Sequence, residues 1–172
     1  MRVFTYFVVL SSLLLLIAGC SSASNEESEG QRATESESHS DHMHTQPNGD
    51  LQEETTSVDE MPKFLQDKDD QMQTIYLAAA KNPEVLESMP CYCGCGESAD
   101  HKSNLNCFVA EINEEKVVWD DHGTRCGVCL EIAAESVLMH QEGKSLKEIR
   151  DYIDNKYNDG YAEPTPTPMP AA

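Results

Sequence analysis

Six cysteines lie within one short central stretch of the chain, and this feature limits the fold and the function more than any other. Two histidines lie among them. Proteins use thiols at such a density in disulfides, in metal sites or as redox pairs, so the function has to involve one of these three uses. The residues in question are Cys91, Cys93, Cys95, Cys107, Cys126 and Cys129, with His101 and His122.

Disulfides are one use of these thiols, because an exported domain meets an oxidising environment. A bridge needs Cα atoms about 4.4–6.8 Å apart with converging Cβ vectors, so close neighbours in the chain seldom pair. The three cysteines of residues 91–95 would then need three distant partners, and only three other cysteines remain among the six. A disulfide framework is therefore allowed only if every one of them is used.

A metal site fits the spacing better. Thiolates at i, i+2 and i+4 of residues 91–95 converge on an ion if the loop curls, and Gly94 and Gly96 permit such a backbone. Cys126 and Cys129 form a C-x-x-C pair, and a loop set combined with a helix-start set is typical of tetrahedral thiolate sites. Six thiols and two imidazoles exceed four ligands. The site is then either a multinuclear cluster or one four-ligand site with spare groups.

A redox pair is the third use. Residues 117–119 look like a strand, and a short linker leads from it to Cys126 and Cys129 at a helix start, which resembles the strand–CxxC–helix unit of thioredoxin-like proteins. A helix N-terminus lowers a thiol pKa, which would activate Cys126 as a nucleophile. The complete fold needs further strands, whereas only one more helix and a tail follow here. Thiol–disulfide exchange by this pair stays an alternative.

The N-terminus carries an export signal. Residues 7–17 are an apolar run too short for a lasting transmembrane helix. The run ends in Ala18-Gly19-Cys20, which resembles the lipobox of bacterial lipoproteins. That resemblance implies that residues 1–19 are a lipoprotein signal peptide and that Cys20 is lipidated with acyl chains such as palmitate. Two or more chains give stable anchoring, so we expect the protein on the extracytoplasmic face of the cell membrane, with the lipid bilayer as a partner.

Residues 20–60 comprise the lipidated cysteine and a stretch of mainly Ser, Glu, Asp, Thr and Gln, which predicts a disordered acidic tether. Within it, residues 39–44 contain His39, His42, His44 and Met43. Such a cluster can capture a soft or borderline metal ion. Together with the thiol count, it makes copper, as Cu(I), the preferred ion over zinc.

The charge balance excludes one class of partner. The chain has 12 basic against 31 acidic residues, whereas nucleic acid needs a basic surface. No Ser/His/Asp set, paired catalytic carboxylates or phosphate-cradling loop stands out, so no catalytic residue is assigned and we lean against an enzyme.

The folded part is expected at residues 61–161, followed by a proline-rich tail at 162–172. Hydrophobic periodicity predicts a small, mostly α domain with one short β-hairpin and a cysteine-rich loop. A capping box of Ser145 and Glu148 starts the last helix. The expected elements are a helix over 71–81, a helical turn over 84–88, strands over 104–112 and 116–119, and a helix over 124–141 with a buried stripe of Leu130, Ala133, Ala134, Val137 and Leu138.

Several motifs together resemble a known family, the PCYCGC-motif lipoproteins of Gram-positive bacteria, within the wider CYCXC group. They are Met89-Pro90-Cys91-Tyr92-Cys93-Gly94-Cys95-Gly96, His101-Lys102-Ser103, Asn106-Cys107-Phe108, Trp119-Asp120-Asp121-His122-Gly123 and Cys126-Gly127-Val128-Cys129-Leu130. The resemblance implies a surface lipoprotein without an assigned activity, and it names neither a substrate nor a metal.

Our interpretation is a membrane-anchored extracytoplasmic lipoprotein that binds copper or zinc through these six cysteines with His122 and His101. A metal donor or acceptor protein would be its partner. The alternatives are a thiol–disulfide redox protein and a disulfide-stapled surface interaction module.

Overall fold

A four-stranded antiparallel sheet and five α-helices make up the part of the chain that the computed structural model describes, residues 43–171. This confirms a small, mostly helical fold with clustered cysteines. The strands are β1 (Met43–Thr45), β2 (Leu51–Thr55), β3 (Val109–Ile112) and β4 (Val117–Asp120), in the order β1-β2-β4-β3. The helices are α1 (Asp70–Lys81), α2 (Pro83–Glu87), α3 (Cys95–Ser98), α4 (Gly127–Gln141) and α5 (Leu146–Tyr157). Short 3-10 turns occur at Lys63–Leu65, Asn104–Cys107 and Asp121–Arg125.

The predicted hairpin is present as β3 and β4, but β1 and β2 extend it into a larger sheet. These two strands lie in the segment that we expected to be tether, so residues 43–60 belong to the folded part instead. Their polar composition does not predict strands. The polar side chains can be buried in the sheet because they have hydrogen-bond partners: Trp119 Nε1 donates to Thr55 Oγ1 at 2.8 Å, and Lys63 N donates to Glu53 Oε2 at 2.8 Å. The predicted signal peptide and the rest of the predicted tether, up to residue 42, lie outside the described residues.

The segment predicted as a strand over 104–112 begins with a 3-10 turn. Ser103 and Asn106 form a reciprocal capping box around this turn, and β3 starts only after it. The side chains of these two residues hydrogen-bond to backbone groups of the turn. These bonds can form only in a helical turn, so they favour it over a strand. The consequence for the site is that Cys107 ends a turn and points into the core, where it is fully buried.

The predicted helices are confirmed. Asp69 caps α1 by accepting a hydrogen bond from Met72 N at 2.9 Å, and the Ser145–Glu148 capping box starts α5. Helix α4 begins after the turn Asp121–Arg125 rather than at residue 124. None of the helices within residues 43–171 combines the length and the apolar character that crossing a membrane requires.

The buried stripe of α4 differs from the prediction. Leu138 is 56% exposed, whereas Ile132 and Ser136 are fully buried. The reason is that α4 contacts α1 and α2 on one side and α5 on another, so two faces of the helix are covered. Cys129 lies in the larger core with α1, and Ile132 lies in a second core with Ile149 and Ile153 of α5.

The proline-rich tail has no helix or strand, but it is not a free end. Thr165 and Thr167 are buried. Thr165 N donates to Cys91 O at 3.0 Å, and Ala162 N donates to Tyr92 O at 3.1 Å. Arg150 of α5 holds the tail by donating to Thr167 O at 3.1 Å. Residues 162–168 therefore cover the cysteine-rich loop.

Candidate metal centre

The cysteines reach one place from three separate segments. Cys91, Cys93 and Cys95 lie on the loop from α2 into α3, and Gly94 has φ +86°, a left-handed backbone that glycine adopts without strain. This turn of the chain folds the three thiols of the loop back on one another. Cys107 ends the 3-10 turn before β3, and the C-x-x-C pair starts α4, with Cys126 as its N-cap.

Four thiols form a buried group, which we call the inner group. Its members are Cys91, Cys95, Cys107 and Cys129, and their Sγ atoms all lie within 4.8 Å of one another. The Cys91–Cys107 and Cys95–Cys107 Sγ distances are both 3.9 Å, and the Cys91–Cys129 distance is 2.8 Å. None of the four side chains is more than 1% exposed. Four sulfurs at such distances could hold one metal ion.

A second group, the outer group, consists of Cys93, Cys126 and Cys129, again within 4.8 Å of one another. Cys93 and Cys126 are partly exposed, unlike the inner thiols. Cys93 Sγ lies 3.4 Å from Cys129 Sγ, and Cys129 belongs to both groups. A hydrogen bond with Cys126 lowers the pKa of Cys93, which favours the thiolate, the form that binds metals.

Hydrogen bonds between thiols also shift the pKa values within the inner group. Hydrogen bonds with Cys107 and Cys129 lower the pKa values of both Cys91 and Cys95. The pKa of Cys129 is raised, chiefly by its hydrogen bond with Cys107, so it keeps the proton that it donates. A bound cation would replace this shared proton, because thiolate ligands must be deprotonated.

Both histidines adjoin the inner group. His101 and His122 form, with Cys95 and Cys107, a set whose ligand atoms lie within 4.8 Å of one another. His101 Nδ1 is 3.4 Å from Cys107 Sγ, and the two imidazole rings are in edge contact with centroids 4.6 Å apart. A hydrogen bond with Cys93 and the neighbouring Asp50 raise the pKa of His122 to about 9, against the opposing effect of burial. The structure thus brings together all eight residues that the spacing singled out.

Sequence reasoning missed the carboxylates beside the histidines. Asp50 Oδ2 lies 3.0 Å from His122 Nδ1 and also pairs with Arg125. Asp50 and Asp120 could hold an ion together with His101, and all three are buried. They meet because β2 and β4 pair with Gln52 opposite Asp120, which sets the residue before β2 beside the residues after β4. Asp50 was assigned to the tether, so no sequence signal connected it to the site.

A polar cavity of about 480 Å³ opens on the same side. His101 and Asp120 line it, together with Gln46 and Asn48 of the β1–β2 turn and Lys102. The histidine side of the centre therefore faces an open recess, whereas the inner thiols are enclosed by side chains and by the tail.

Fold and site together define a cysteine-rich protein whose thiols form a cluster that could hold a metal ion. The sequence pattern of a protein family described as "Protein of unknown function with PCYCGC motif" matches residues 8–170, nearly the whole chain. The chain belongs to this PCYCGC family. No curated protein and no solved structure matches it.

Proposed function

We propose that this protein is a lipid-anchored, extracytoplasmic metal-binding protein that holds copper or zinc, with Cu(I) preferred, in its thiolate-rich centre. One observation carries the proposal: six thiols and two imidazoles from distant segments converge in overlapping groups of mutually close ligand atoms. A framework of three disulfides would place the sulfurs in separate pairs, whereas here each inner thiol has several sulfur neighbours.

The distances favour a metal over bridges. Zinc–sulfur bonds of about 2.3 Å set the sulfurs of a tetrahedral site about 3.8 Å apart. The Cys91–Cys107 and Cys95–Cys107 distances of 3.9 Å agree with this geometry. The Cys91–Cys129 and Cys107–Cys129 pairs, at 2.8 Å and 3.3 Å, would have to open to admit an ion. Soft thiolates in excess of four ligands suit Cu(I), which thiolates bridge in clusters.

Anchoring is the second part of the proposal, and it rests on the lipobox-like residues around Cys20. A thiolate centre outside the cytoplasm has to be protected from oxidation, and a bound metal ion with burial of four thiols would provide that protection. A metal donor or acceptor on the same membrane would then be the partner.

Metal analysis combined with thiol titration tests the function. The full chain is purified anaerobically, and we expect bound metal together with thiols that become titratable once a chelator has removed it. Its melting temperature should fall with chelator, because structural thiolate sites contribute on the order of 10–16 kcal/mol of apparent binding energy. If reductant unfolds the protein while chelator leaves the melting curve unchanged, the metal proposal is wrong and a disulfide framework replaces it.

Thiol–disulfide exchange is the second candidate function. It is favoured by the partly exposed Cys126 at the start of α4, which the five-residue turn Asp121–Arg125 connects to β4. The sheet around it is wholly antiparallel, unlike the parallel-stranded core that a βαβ redox fold would require. A reversible two-electron couple in metal-free protein, with turnover of a disulfide substrate, would establish this candidate.

A further inference from the structure

We propose that the centre holds ions at two linked positions, the inner and the outer group, and that ions enter and leave through the outer group. This inference rests on the proposed metal binding and adds to it a route and a minimum of two ions.

The difference in exposure between the two groups is the first observation. The inner thiols are at most 1% exposed, while Cys93 and Cys126 are partly exposed. An incoming ligand can therefore reach a metal at the outer group directly. It cannot reach the inner group without first displacing the side chains around it.

The shared cysteine is the second observation. Cys129 Sγ lies 3.4 Å from Cys93 Sγ in the outer group and 2.8 Å from Cys91 Sγ in the inner group. An ion that moves between the groups therefore keeps its bond to Cys129 throughout. Cys91 and Cys93 are themselves only 3.3 Å apart, so the next sulfur is within reach before the last one is released.

Access to the surface is the third observation. Gly127 follows Cys126, and a Cβ built on it would have no heavy atom within 4 Å, so the surface beside the outer group is open. The opposite side of the loop is covered: a Cβ on Gly96 would lie 3.3 Å from Thr165 Cγ2 of the tail. The tail thus covers the inner group on this side. On the side of the recess, His101 is only 7% exposed and lies 3.4 Å from Cys107 Sγ, so the two partly exposed thiols of the six are those of the outer group.

Exchange at this entrance is a ligand substitution that balances without any redox step. A ligand from solution forms a bond to the outer ion as the bond to Cys126 breaks, and the released thiolate of Cys126 takes up a proton. The ion keeps its oxidation state. A vacancy at the outer group is then filled by an ion from the inner group by way of Cys129.

Copper loading and removal test the two positions. The full chain is loaded anaerobically with Cu⁺ as the probe, the bound copper is counted, and its removal by a chromogenic Cu(I) chelator is followed in time. Cys126→Ser and the double variant Cys93→Ser/Cys126→Ser alter the outer group alone. Cys95→Ser is the matched control, because it changes one thiol of the inner group and none of the outer. Buried Trp119 reports by fluorescence whether each variant is folded.

We expect the outer-group variants to bind less copper than the wild type but not none, and to release the remaining copper several-fold more slowly. Cys95→Ser should lose inner copper, and its remaining copper should leave as fast as in the wild type. Folded outer-group variants that match the wild type in stoichiometry and rate would overturn this inference and leave metal binding intact. Outer-group variants that bind no copper at all would also overturn this inference, because the six thiols would then form one site rather than two. A wild-type protein that binds no copper or zinc would instead overturn the proposed function.

Discussion

The turn before α4 packs closely against the segment that carries Cys107, and this close packing depends on Gly123. A Cβ built on this glycine would be 2.7 Å from Phe108 Cε1 and 2.8 Å from Cys107 O. Neither neighbour can move away easily, because Phe108 is fully buried against Tyr76, with ring centroids 5.0 Å apart. Any side chain at this position has to displace the backbone that carries Cys107.

Gly123→Ala should therefore lower both stability and metal binding. We expect a loss of about 1–3 kcal/mol in the free energy of unfolding, which is typical of overpacking, together with weaker binding through the displaced Cys107. Denaturant unfolding and metal competition measure the two effects. Gly127→Ala is the matched control, because nothing lies within 4 Å of its Cβ position. If both variants behave alike, the close packing at Gly123 is not what positions Cys107.

Asp50→Asn should weaken metal binding by about 10–100-fold, the usual effect of losing a carboxylate that orients a histidine ligand. Asp50 accepts a hydrogen bond from His122 Nδ1 at 3.0 Å, which leaves the other ring nitrogen available to an ion. Metal affinity by competition with a chelator is the measurement. Asp59→Asn is the control, since Asp59 is exposed and pairs with Lys81 away from the centre. Equal affinities in both variants would show that Asp50 does not orient the ligand.

The eight candidate ligands could be found from the sequence because their spacing is local, in three short motifs and two intervening histidines. Asp50 and Thr165 could not, because each reaches the site from a distant part of the chain. Asp50 arrives through the β2–β4 register and Thr165 through the path of the tail. Neither contact is encoded within a window of neighbouring residues, and both residues lie in segments whose composition predicts no fold.

Among the elements, the tail has the most direct effect on the centre. Cys91 N donates to Thr165 Oγ1 at 2.9 Å, and Thr165 N donates back to Cys91 O at 3.0 Å. Thr167 Oγ1 donates to Lys102 O at 2.6 Å, which joins the tail to the segment that carries His101. The tail acts as a clamp on both sides of the cysteine-rich loop.

A chain that ends at Glu163 should lose this clamp. We expect the free energy of unfolding to fall by about 1 kcal/mol for each lost hydrogen bond, and the melting temperature to fall with it. Amide exchange at residues 91–95 should become faster. A chain that ends at Met169 is the control, because it keeps every tail contact named above. Hydrogen exchange measured by mass spectrometry compares the two. Unchanged protection of residues 91–95 in the shorter chain would contradict a clamping role.

Helices were easier to predict than strands, for a physical reason. Helix α5 shows its apolar face and capping box within one segment, so no tertiary information is needed. Strands β1 and β2 depend on β4 for their hydrogen bonds and bury polar side chains such as Glu53, so their own sequence resembles tether. The buried stripe of α4 was wrong in part because the helix is covered on two faces, which its own periodicity does not reveal.

For the molecule as a whole, lowering the pH should weaken metal binding and reduce the stability of the fold together. Thiolate ligands must be deprotonated to bind, so protons compete with the ion as the pH falls. We expect the melting temperature of the metal-loaded protein to decrease on mild acidification and to approach that of the chelator-treated protein. Calorimetry of both forms at several pH values checks this. Parallel pH profiles for the two forms would mean that the ion does not contribute to the stability of the fold.

Cys20→Ala should release the protein from the membrane without unfolding it. Cys20 lies outside the described residues, and the proposed anchor is separate in sequence from β1, where the folded part begins. Cell fractionation and a melting curve of the released variant are the measurements. A variant that stays in the membrane fraction with its signal cleaved would remove the anchor proposal.

The pairing between residues 91–92 and 162–165 also determines the order in which a newly made molecule matures. Synthesis runs from the N-terminus, so all six central cysteines leave the ribosome before Thr165 does. Until then the backbone of Cys91 lacks both of its hydrogen bonds with Thr165. Each new chain therefore passes through an interval in which its thiols are unshielded and open to oxidants and stray ions. That interval ends only when residues 162–165 have been added and have folded back.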